Sequence, residues 1–231
     1  MTTTVDHDCA RPGTPPSGGA QIGAAQESSV LDRSVWASLT GHHARFAERH
    51  GRAIRYQADV APFTALEDHA DPQAWADAAE LLGPGSRLAL GGVTSWPEGW
   101  EPAFTAESAQ LVAATLDARP DPEAVVLGPD DVPEILALIA RTEPGPFLPR
   151  TIELGTYLGI RRDGALIAMA GERQHPPGYT EISAVCTDAA YRGQGLATRL
   201  VRAVAASRDA AAADPAPGRS ATMPPTGRRP G

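Results

Sequence analysis

Lysine is absent from this chain of 231 residues, so all 20 basic residues are arginine. Together with abundant Ala, Gly and Pro, this absence indicates GC-rich coding, and we give it no functional meaning. The 28 acidic residues leave a formal net charge of −8. Such a charge repels polyanions, so general nucleic-acid binding is not expected, whereas a cationic amine is not repelled.

Cysteine is also scarce. Cys9 and Cys186 are too few for a disulfide framework or a zinc site, and Cys186 stands in an apolar run where a small core residue is expected rather than a nucleophile. No apolar run approaches the roughly 20 residues that span a bilayer, and the N-terminus lacks a basic segment followed by an apolar core. We therefore expect a soluble cytoplasmic protein that binds no membrane.

The ends of the chain differ in composition from its middle. Residues 1–29 are rich in Pro, Gly, Ser and Thr, and residues 208–231 in Ala, Pro, Arg and Gly, without apolar periodicity. Such segments bury too little surface to offset their ordering entropy, which predicts disordered termini. Between them we predict a small α/β N-terminal region over residues 30–120 and a second domain over residues 121–207.

The N-terminal region contains two predicted helices. Apolar residues spaced by three and four predict a helix from Val30 that ends near Gly51, and Asp71 and Gly83 fit the two caps of a second helix. Histidines 42, 43 and 50 lack a carboxylate or cysteine to complete a metal site, so no metal is expected. The predicted strands are residues 53–57, a buried strand over 87–90 and a weak candidate over 109–114.

The second domain has a clearer pattern, in the order β, α, β, β, β, α. A strand over 124–127 precedes a helix that Asp130 is expected to cap. Two strands, 157–162 and 165–173, are joined by Asp163-Gly164, a signal for a type I′ hairpin. A β-branched strand over 181–187 and an amphipathic helix follow.

A glycine-punctuated loop joins that last strand to that last helix. Gly193 and Gly195 carry no Cβ, so a diphosphate can approach the backbone closely, and the free N–H groups of the first helical turn point toward it. The helix dipole attracts negative charge by roughly 0.3–1 kcal/mol, and Arg192 adds a positive charge. A tight strand-to-helix turn explains the two glycines equally well when they are considered alone.

The wider pattern Arg192-x-x-Gly195-x-Ala197 resembles the acetyl-CoA signature of the GNAT superfamily of N-acetyltransferases, (Arg/Gln)-x-x-Gly-x-(Gly/Ala). A P-loop does not fit, because no Lys-Ser/Thr follows the glycines, and a dinucleotide fingerprint lacks its third glycine. The element order over residues 121–207 is also similar to the GNAT fold. The resemblance therefore implies an α/β protein with a GNAT-like mixed sheet.

The same resemblance implies that an acetyl group passes from acetyl-CoA to a small-molecule or peptide amine by direct attack, without a covalent enzyme intermediate. It assigns the acetyl carbonyl to the backbone at Val185 and the pantetheine arm to the backbone at Thr187. The pyrophosphate is assigned to the backbone of six residues: Arg192, Gly193, Gln194, Gly195, Leu196 and Ala197.

Glu181 is the candidate catalytic base. It stands eleven residues before Arg192, where several family members carry a general-base glutamate. An ammonium must lose a proton before its nitrogen attacks a thioester, and a carboxylate can accept that proton. A strand residue in a salt bridge is an equally weighted alternative, and His175 and Tyr179 are weaker candidates.

After Val204 the sequence departs from the family pattern. The family continues with further strands and a helix, whereas no β-branched run and no aromatic residue follows Tyr191. We therefore expect a frameshifted or truncated chain, and a product that at most binds CoA without turnover is the second hypothesis beside the acetyltransferase. A genuine disordered tail is the alternative, and a loop that binds another phosphate ligand is a third possibility.

Overall fold

The structure is a computed structural model that describes residues 30–106, 109–113 and 115–213, of which 208–213 by backbone only. The predicted leader, and the predicted tail beyond residue 213, lie outside the described residues. The helices are α1 (Ser34–Leu39), α2 (Pro72–Leu82), α3 (Val132–Thr142) and α4 (Leu196–Ala213). The strands are β1 (Ala47–His50), β2 (Ala53–Tyr56), β3 (Thr64–Leu66), β4 (Val125–Val126), β5 (Tyr157–Arg162), β6 (Ala165–Glu172) and β7 (Ile182–Thr187).

The second domain is a four-stranded antiparallel sheet in the order β4-β5-β6-β7, between two helices. Ile135 and Leu138 of α3 pack in the core on one face, and Leu200 and Val204 of α4 on the other. The predicted order β, α, β, β, β, α is confirmed. None of the helices in the described ranges combines the length and the hydropathy that a membrane span needs.

The hairpin between β5 and β6 follows from its turn residues. Asp163 and Gly164 have φ of 50° and 83°, as the two central positions of a type I′ turn require. Gly and Asp tolerate this left-handed conformation better than other residues, so the turn is encoded locally. This hairpin sets the register of the two most buried strands.

The N-terminal region is a three-stranded antiparallel sheet, β1-β2-β3, with α1 and α2 packed against it. The predicted helix from Val30 to Gly51 is wrong in its second half, because α1 ends at Leu39 and β1 follows a short 3-10 turn. Gly51 has φ of 51° and joins β1 to β2 in a hairpin. Cross-strand pairing thus overrides the helical spacing of the apolar residues.

Two predicted strands also need correction. Residues 87–90 are not a buried strand: only Ala89 forms an isolated bridge, with Phe63, and Arg87 and Ala89 are exposed. The strand candidate 109–114 has no strand among its described residues, and Leu111 is 95% exposed. Neither segment forms a continuous ladder with another strand of the described residues, so its β-like sequence pattern does not produce a strand.

The boundaries of two helices also differ from the prediction. Asp131, rather than Asp130, precedes α3, and its carboxylate accepts a hydrogen bond from the Gly128 N–H at 2.8 Å. Helix α4 continues to Ala213, six residues into the segment predicted as a tail from residue 208. Alanine has the highest helix propensity, so the alanine run extends the helix.

The N-terminal region packs against the segment of the second domain that precedes β5. Leu154, which precedes β5, is buried among core residues of the N-terminal region such as Leu39 and Phe46. The Thr151 hydroxyl donates to the Val60 carbonyl at 2.6 Å. The region over residues 30–120 therefore shares a core with the second domain.

Candidate functional site

Strand β7 contains a β-bulge. It pairs with β6 at Cys186↔Met169 and again at Ser183↔Gly171, so Ala184 and Val185 stand opposite the single residue Ala170. Ala184 has φ of 52°, a left-handed conformation that costs a non-glycine residue roughly 1–2 kcal/mol. The ladder is therefore interrupted within the strand that precedes the glycine loop.

The outer edge of β7 has no partner strand in the part of the chain that the structure describes. Val185 and Thr187 are partly exposed, so a ligand can reach the backbone along this edge. Cys186, between them, is buried in the core, and burial raises the pKa of its thiol. A buried neutral thiol is a poor nucleophile, in agreement with its prediction as a core residue.

The glycine loop follows β7 through a short 3-10 turn. Gly193 and Gly195 have φ of 80° and 74°, and a Cβ on either would meet no atom within 4 Å. These positions therefore require glycine for their backbone angles and not for lack of space. Residues 192–195 are exposed, whereas Leu196 is buried and anchors the start of α4.

The residues present fit an anionic diphosphate at this loop. The first N–H groups of the 18-residue helix α4 have no intrahelical acceptor, and they lie at the exposed loop. The Arg192 side chain is held near them by a hydrogen bond from its Nε to the Thr187 carbonyl at 3.2 Å. The nearby Asp188 carboxylate is paired with Arg141 at 3.1 Å, which offsets its negative charge.

Glu181 lies just before β7 and forms an ion pair with Arg173. Its two carboxylate oxygens accept hydrogen bonds from the guanidinium at 2.5 and 3.2 Å, and that guanidinium lies over the Phe63 ring. The salt bridge, one of the two predicted alternatives, is thus present. The Glu181 side chain is 35% exposed, so an acceptor can still reach the carboxylate.

A cleft of about 530 Å³ lies beside the start of β7. The buried Glu172 lines it, and its carboxylate accepts a hydrogen bond from the Thr156 N–H at 2.8 Å. His175 lies against Thr180, with Nδ1 at 3.3 Å from the hydroxyl, and its ring stacks on that of His42 at 4.6 Å between centroids. The candidates His175 and Tyr179 both line this cleft.

Glu172 and His42 were not predicted as site residues. Glu172 is the only charged residue in the strand Ala165–Glu172, a signal that the sequence did offer. His42 is exposed beside the buried His43, and its stacking on His175 depends on how the N-terminal region packs against the second domain. That packing has no signal in the local sequence.

Histidines 42, 43 and 50 lie in different environments in the fold. His43 is fully buried, with Nδ1 at 2.9 Å from the Tyr56 hydroxyl and Nε2 at 3.0 Å from the Leu154 carbonyl, and burial lowers its pKa to about 4. His50 pairs instead with Glu80. Ligand atoms of residues 42, 43 and 175 lie within 4.8 Å of one another. Both nitrogens of His43 are engaged in hydrogen bonds, and the three rings contact one another by stacking and edge-on packing, so His43 is not free to serve as a metal ligand in this arrangement.

The comparisons with known proteins agree with this geometry. The model of the family described as FR47-like protein matches residues 157–212, which hold the central hairpin, β7, the glycine loop and most of α4. A solved structure from Novosphingobium aromaticivorans DSM 12444, named as an acetyltransferase from the GNAT family, is 35% identical with a TM-score of 0.60. The match covers 78% of this chain and 81% of that chain. The chain belongs to the GNAT family. No curated protein matches it.

The similarity to the GNAT family is not limited to the glycine loop. The share of this chain that the solved structure covers is too large to be confined to residues 121–213, so the similarity extends into the N-terminal region. The GNAT family and the fold support acyl transfer as the general activity. GNAT acetyltransferases generally take the acyl group from acetyl-CoA.

Proposed function

We propose that this GNAT protein transfers an acetyl group from acetyl-CoA to an amine by direct attack. The observation that carries the proposal is the bulge in β7 followed by the exposed glycine loop at the start of α4. The bulge exposes backbone groups that the ladder does not use, and the loop offers N–H groups to a diphosphate. One extended ligand with a carbonyl and a diphosphate can use both.

Each part of acetyl-CoA has a proposed position on the chain. The backbone of Val185 faces the acetyl carbonyl, and the backbone of Thr187 pairs with the pantetheine arm. Backbone N–H groups of residues 192–197 hold the pyrophosphate, and the Arg192 guanidinium adds a charge-assisted contact. The exposure of residues 192–195 and the partial exposure of Val185 and Thr187 support this order.

The reaction proceeds without an acyl-enzyme. The lone pair of the amine attacks the thioester carbon, a C–N bond forms, and the carbonyl π pair moves to oxygen. When that pair returns, the C–S bond breaks and CoA leaves as a thiolate, while the nitrogen gives up a proton. In our proposal Glu181 accepts the proton that the incoming ammonium loses before its nitrogen attacks, since the pairing with Arg173 leaves lone pairs on both carboxylate oxygens. The proton that the nitrogen gives up after the attack goes to the departing thiolate, so CoA is released as a thiol.

The amine enters through the cleft that Glu172 lines. Glu172 pairs with Ile182 at the start of β7, two residues before the bulge begins, so the cleft adjoins the proposed acetyl position. A buried carboxylate favours an ammonium over a neutral or anionic group. A small-molecule or peptide amine is therefore the proposed acceptor class.

The test is the substitution Gly195→Glu. Its side chain places strain and a negative charge where the diphosphate binds, so calorimetry should detect no acetyl-CoA binding. Gly164→Glu is the matched control, because Gly164 also has positive φ and open space but lies in the β5–β6 hairpin turn. The control should bind like the parent. Equal binding by all three proteins would overturn the cofactor assignment.

A CoA-binding module without turnover is the second candidate. The observation that favours it is that the described sheet ends at β7, which leaves one side of the proposed acetyl position without a strand. The two candidates differ in a single measurement. The enzyme releases CoA thiol from acetyl-CoA in the presence of a panel of primary amines, whereas the module binds acetyl-CoA and releases none.

A further inference from the structure

Tyr157, the first residue of β5, is a buried tyrosine whose hydroxyl is not satisfied. Its side chain is 1% exposed, and its ring packs edge-on against Phe147. Within the described residues, its hydroxyl has no hydrogen-bond partner. A buried polar group without a partner destabilises the folded state, and phenylalanine would fill the same space without that cost. We therefore expect the hydrogen-bond partner of this hydroxyl to be a group outside the described chain.

The position of the ring indicates where that partner lies. Tyr157 stands opposite Gly171 of β6, and a Cβ on Gly171 would overlap the tyrosine ring, so the ring lies across β6. Gly171 pairs with Ser183 of β7, the residue directly before the bulge at Ala184, and Ala184 packs against the core cluster that contains Tyr157. The ring thus extends from β5 toward the bulge.

The protonation state limits what the hydroxyl can do. Burial raises the pKa of Tyr157, so the phenol stays neutral and keeps its proton at physiological pH. A neutral phenol in a water-poor site is a hydrogen-bond donor and not a base. Such donors are most effective when they face an oxygen that gains negative charge during a reaction.

We propose that the Tyr157 hydroxyl donates a hydrogen bond to the acyl oxygen of acetyl-CoA at the bulge of β7. This inference rests on the proposed function. As the amine nitrogen bonds to the acyl carbon, the carbonyl π pair moves onto that oxygen, and the phenol stabilises the resulting charge. The pair returns when the C–S bond breaks, and Tyr157 keeps its proton throughout.

The experiment uses Tyr157→Phe in the full chain. We expect CoA release from acetyl-CoA, with benzylamine as the probe amine, to fall about 10²- to 10³-fold in kcat, the usual loss for one such donor. The carbonyl stretch of bound ¹³C-labelled acetyl-CoA should move to higher frequency in the variant. Affinity for CoA itself, which lacks the acyl oxygen, should not change. The melting temperature should stay equal or rise, because an unsatisfied hydroxyl has been removed.

Tyr56→Phe is the matched control. Tyr56 is equally buried, but its hydroxyl is bonded to His43. This control should lower the melting temperature and leave the carbonyl band and kcat unchanged. A second variant, 3,5-difluorotyrosine at position 157, keeps the donor and makes it more acidic, so it should move the carbonyl band to lower frequency.

The outcomes separate the two proposals. If the parent binds and turns over acetyl-CoA while Tyr157→Phe leaves kcat and the carbonyl band unchanged, the role of Tyr157 is wrong and the proposed function stands. An unchanged band with difluorotyrosine would overturn the role as well, even if the phenylalanine variant failed to fold. If the parent does not bind acetyl-CoA at all, both proposals fail.

Discussion

The ion pair of Glu181 with Arg173 combines two roles in one contact. Arg173 fixes the direction of the carboxylate, which helps a base that must meet an incoming amine. A backbone hydrogen bond between the same two residues also joins the end of β6 to the start of β7, because the Arg173 N–H donates to the Glu181 carbonyl. A structural contact and a catalytic base affect the pH profile of CoA release differently, so this measurement can distinguish the two roles of Glu181.

The substitution Glu181→Gln tests the base. We expect CoA release in the presence of benzylamine to fall about 10²-fold or more at neutral pH, and to recover in part as the pH rises, because the medium then deprotonates the amine. Arg173→Gln breaks the same ion pair but keeps the carboxylate, so its pH profile should follow the parent. Both variants should lose similar stability, about 1 kcal/mol or less. Identical pH profiles for Glu181→Gln and the parent would give Glu181 a structural role only.

Single residues were predictable where the backbone alone determines them. Gly193 and Gly195 need positive φ, a requirement that is local and visible as glycine. Glu172 and Tyr157 gain their environments from strands and helices distant in sequence, so their importance cannot be read from their neighbours. The sequence could therefore indicate the glycine loop but not the cleft or the unsatisfied hydroxyl.

Among the elements, β7 departs from regular strand geometry at its bulge. A helix or strand predicted from periodicity is regular by construction, so the extra residue could not be foreseen from the pattern. The hairpin at Asp163-Gly164 was foreseen, because its turn residues are specific. The helix predicted to reach Gly51 failed because pairing between β1 and β2 involves residues outside the helical window.

Deletion of Ala184 tests what the bulge contributes. Without it, Val185 would stand opposite Ala170 and the β6–β7 ladder would be regular, and the cost of the positive φ would disappear. We expect the deletion variant to be about 1 kcal/mol more stable in urea unfolding and to bind acetyl-CoA at least tenfold more weakly. Ala184→Gly relieves the same strain but keeps the extra residue, so it should gain stability and retain binding. Undiminished binding by the deletion variant would show that the ligand does not use the bulge.

The whole molecule joins two sheets that the sequence suggested as separate units. The Nε2 of His43 donates across this junction to the Leu154 carbonyl, and Arg150 contacts both Gln57 and Asp59. Apolar packing of Leu154 in the N-terminal core adds to these contacts. Contacts between segments about 100 residues apart have no signature in either segment alone.

We expect the two sheets to unfold as one cooperative unit. All four tryptophans, at positions 36, 75, 96 and 100, lie in the N-terminal region, so tryptophan fluorescence reports that region alone. Far-UV circular dichroism reports both sheets. Urea transitions followed by the two probes should coincide, and acetyl-CoA should move both midpoints together. A fluorescence midpoint that differs from the circular dichroism midpoint, or that acetyl-CoA leaves unmoved, would show that the N-terminal sheet unfolds independently.

The contact of α1 with the cleft has a consequence for divergence within the family. The Ser38 hydroxyl accepts a hydrogen bond from the His175 N–H at 3.0 Å, and His42 stacks on the His175 ring. One wall of the cleft is therefore supported by residues outside the segment that matches the FR47-like family. Substitutions in the N-terminal region can reshape that wall while the glycine loop stays intact. Acceptor preference can then evolve separately from cofactor use, because the two depend on different stretches of the chain.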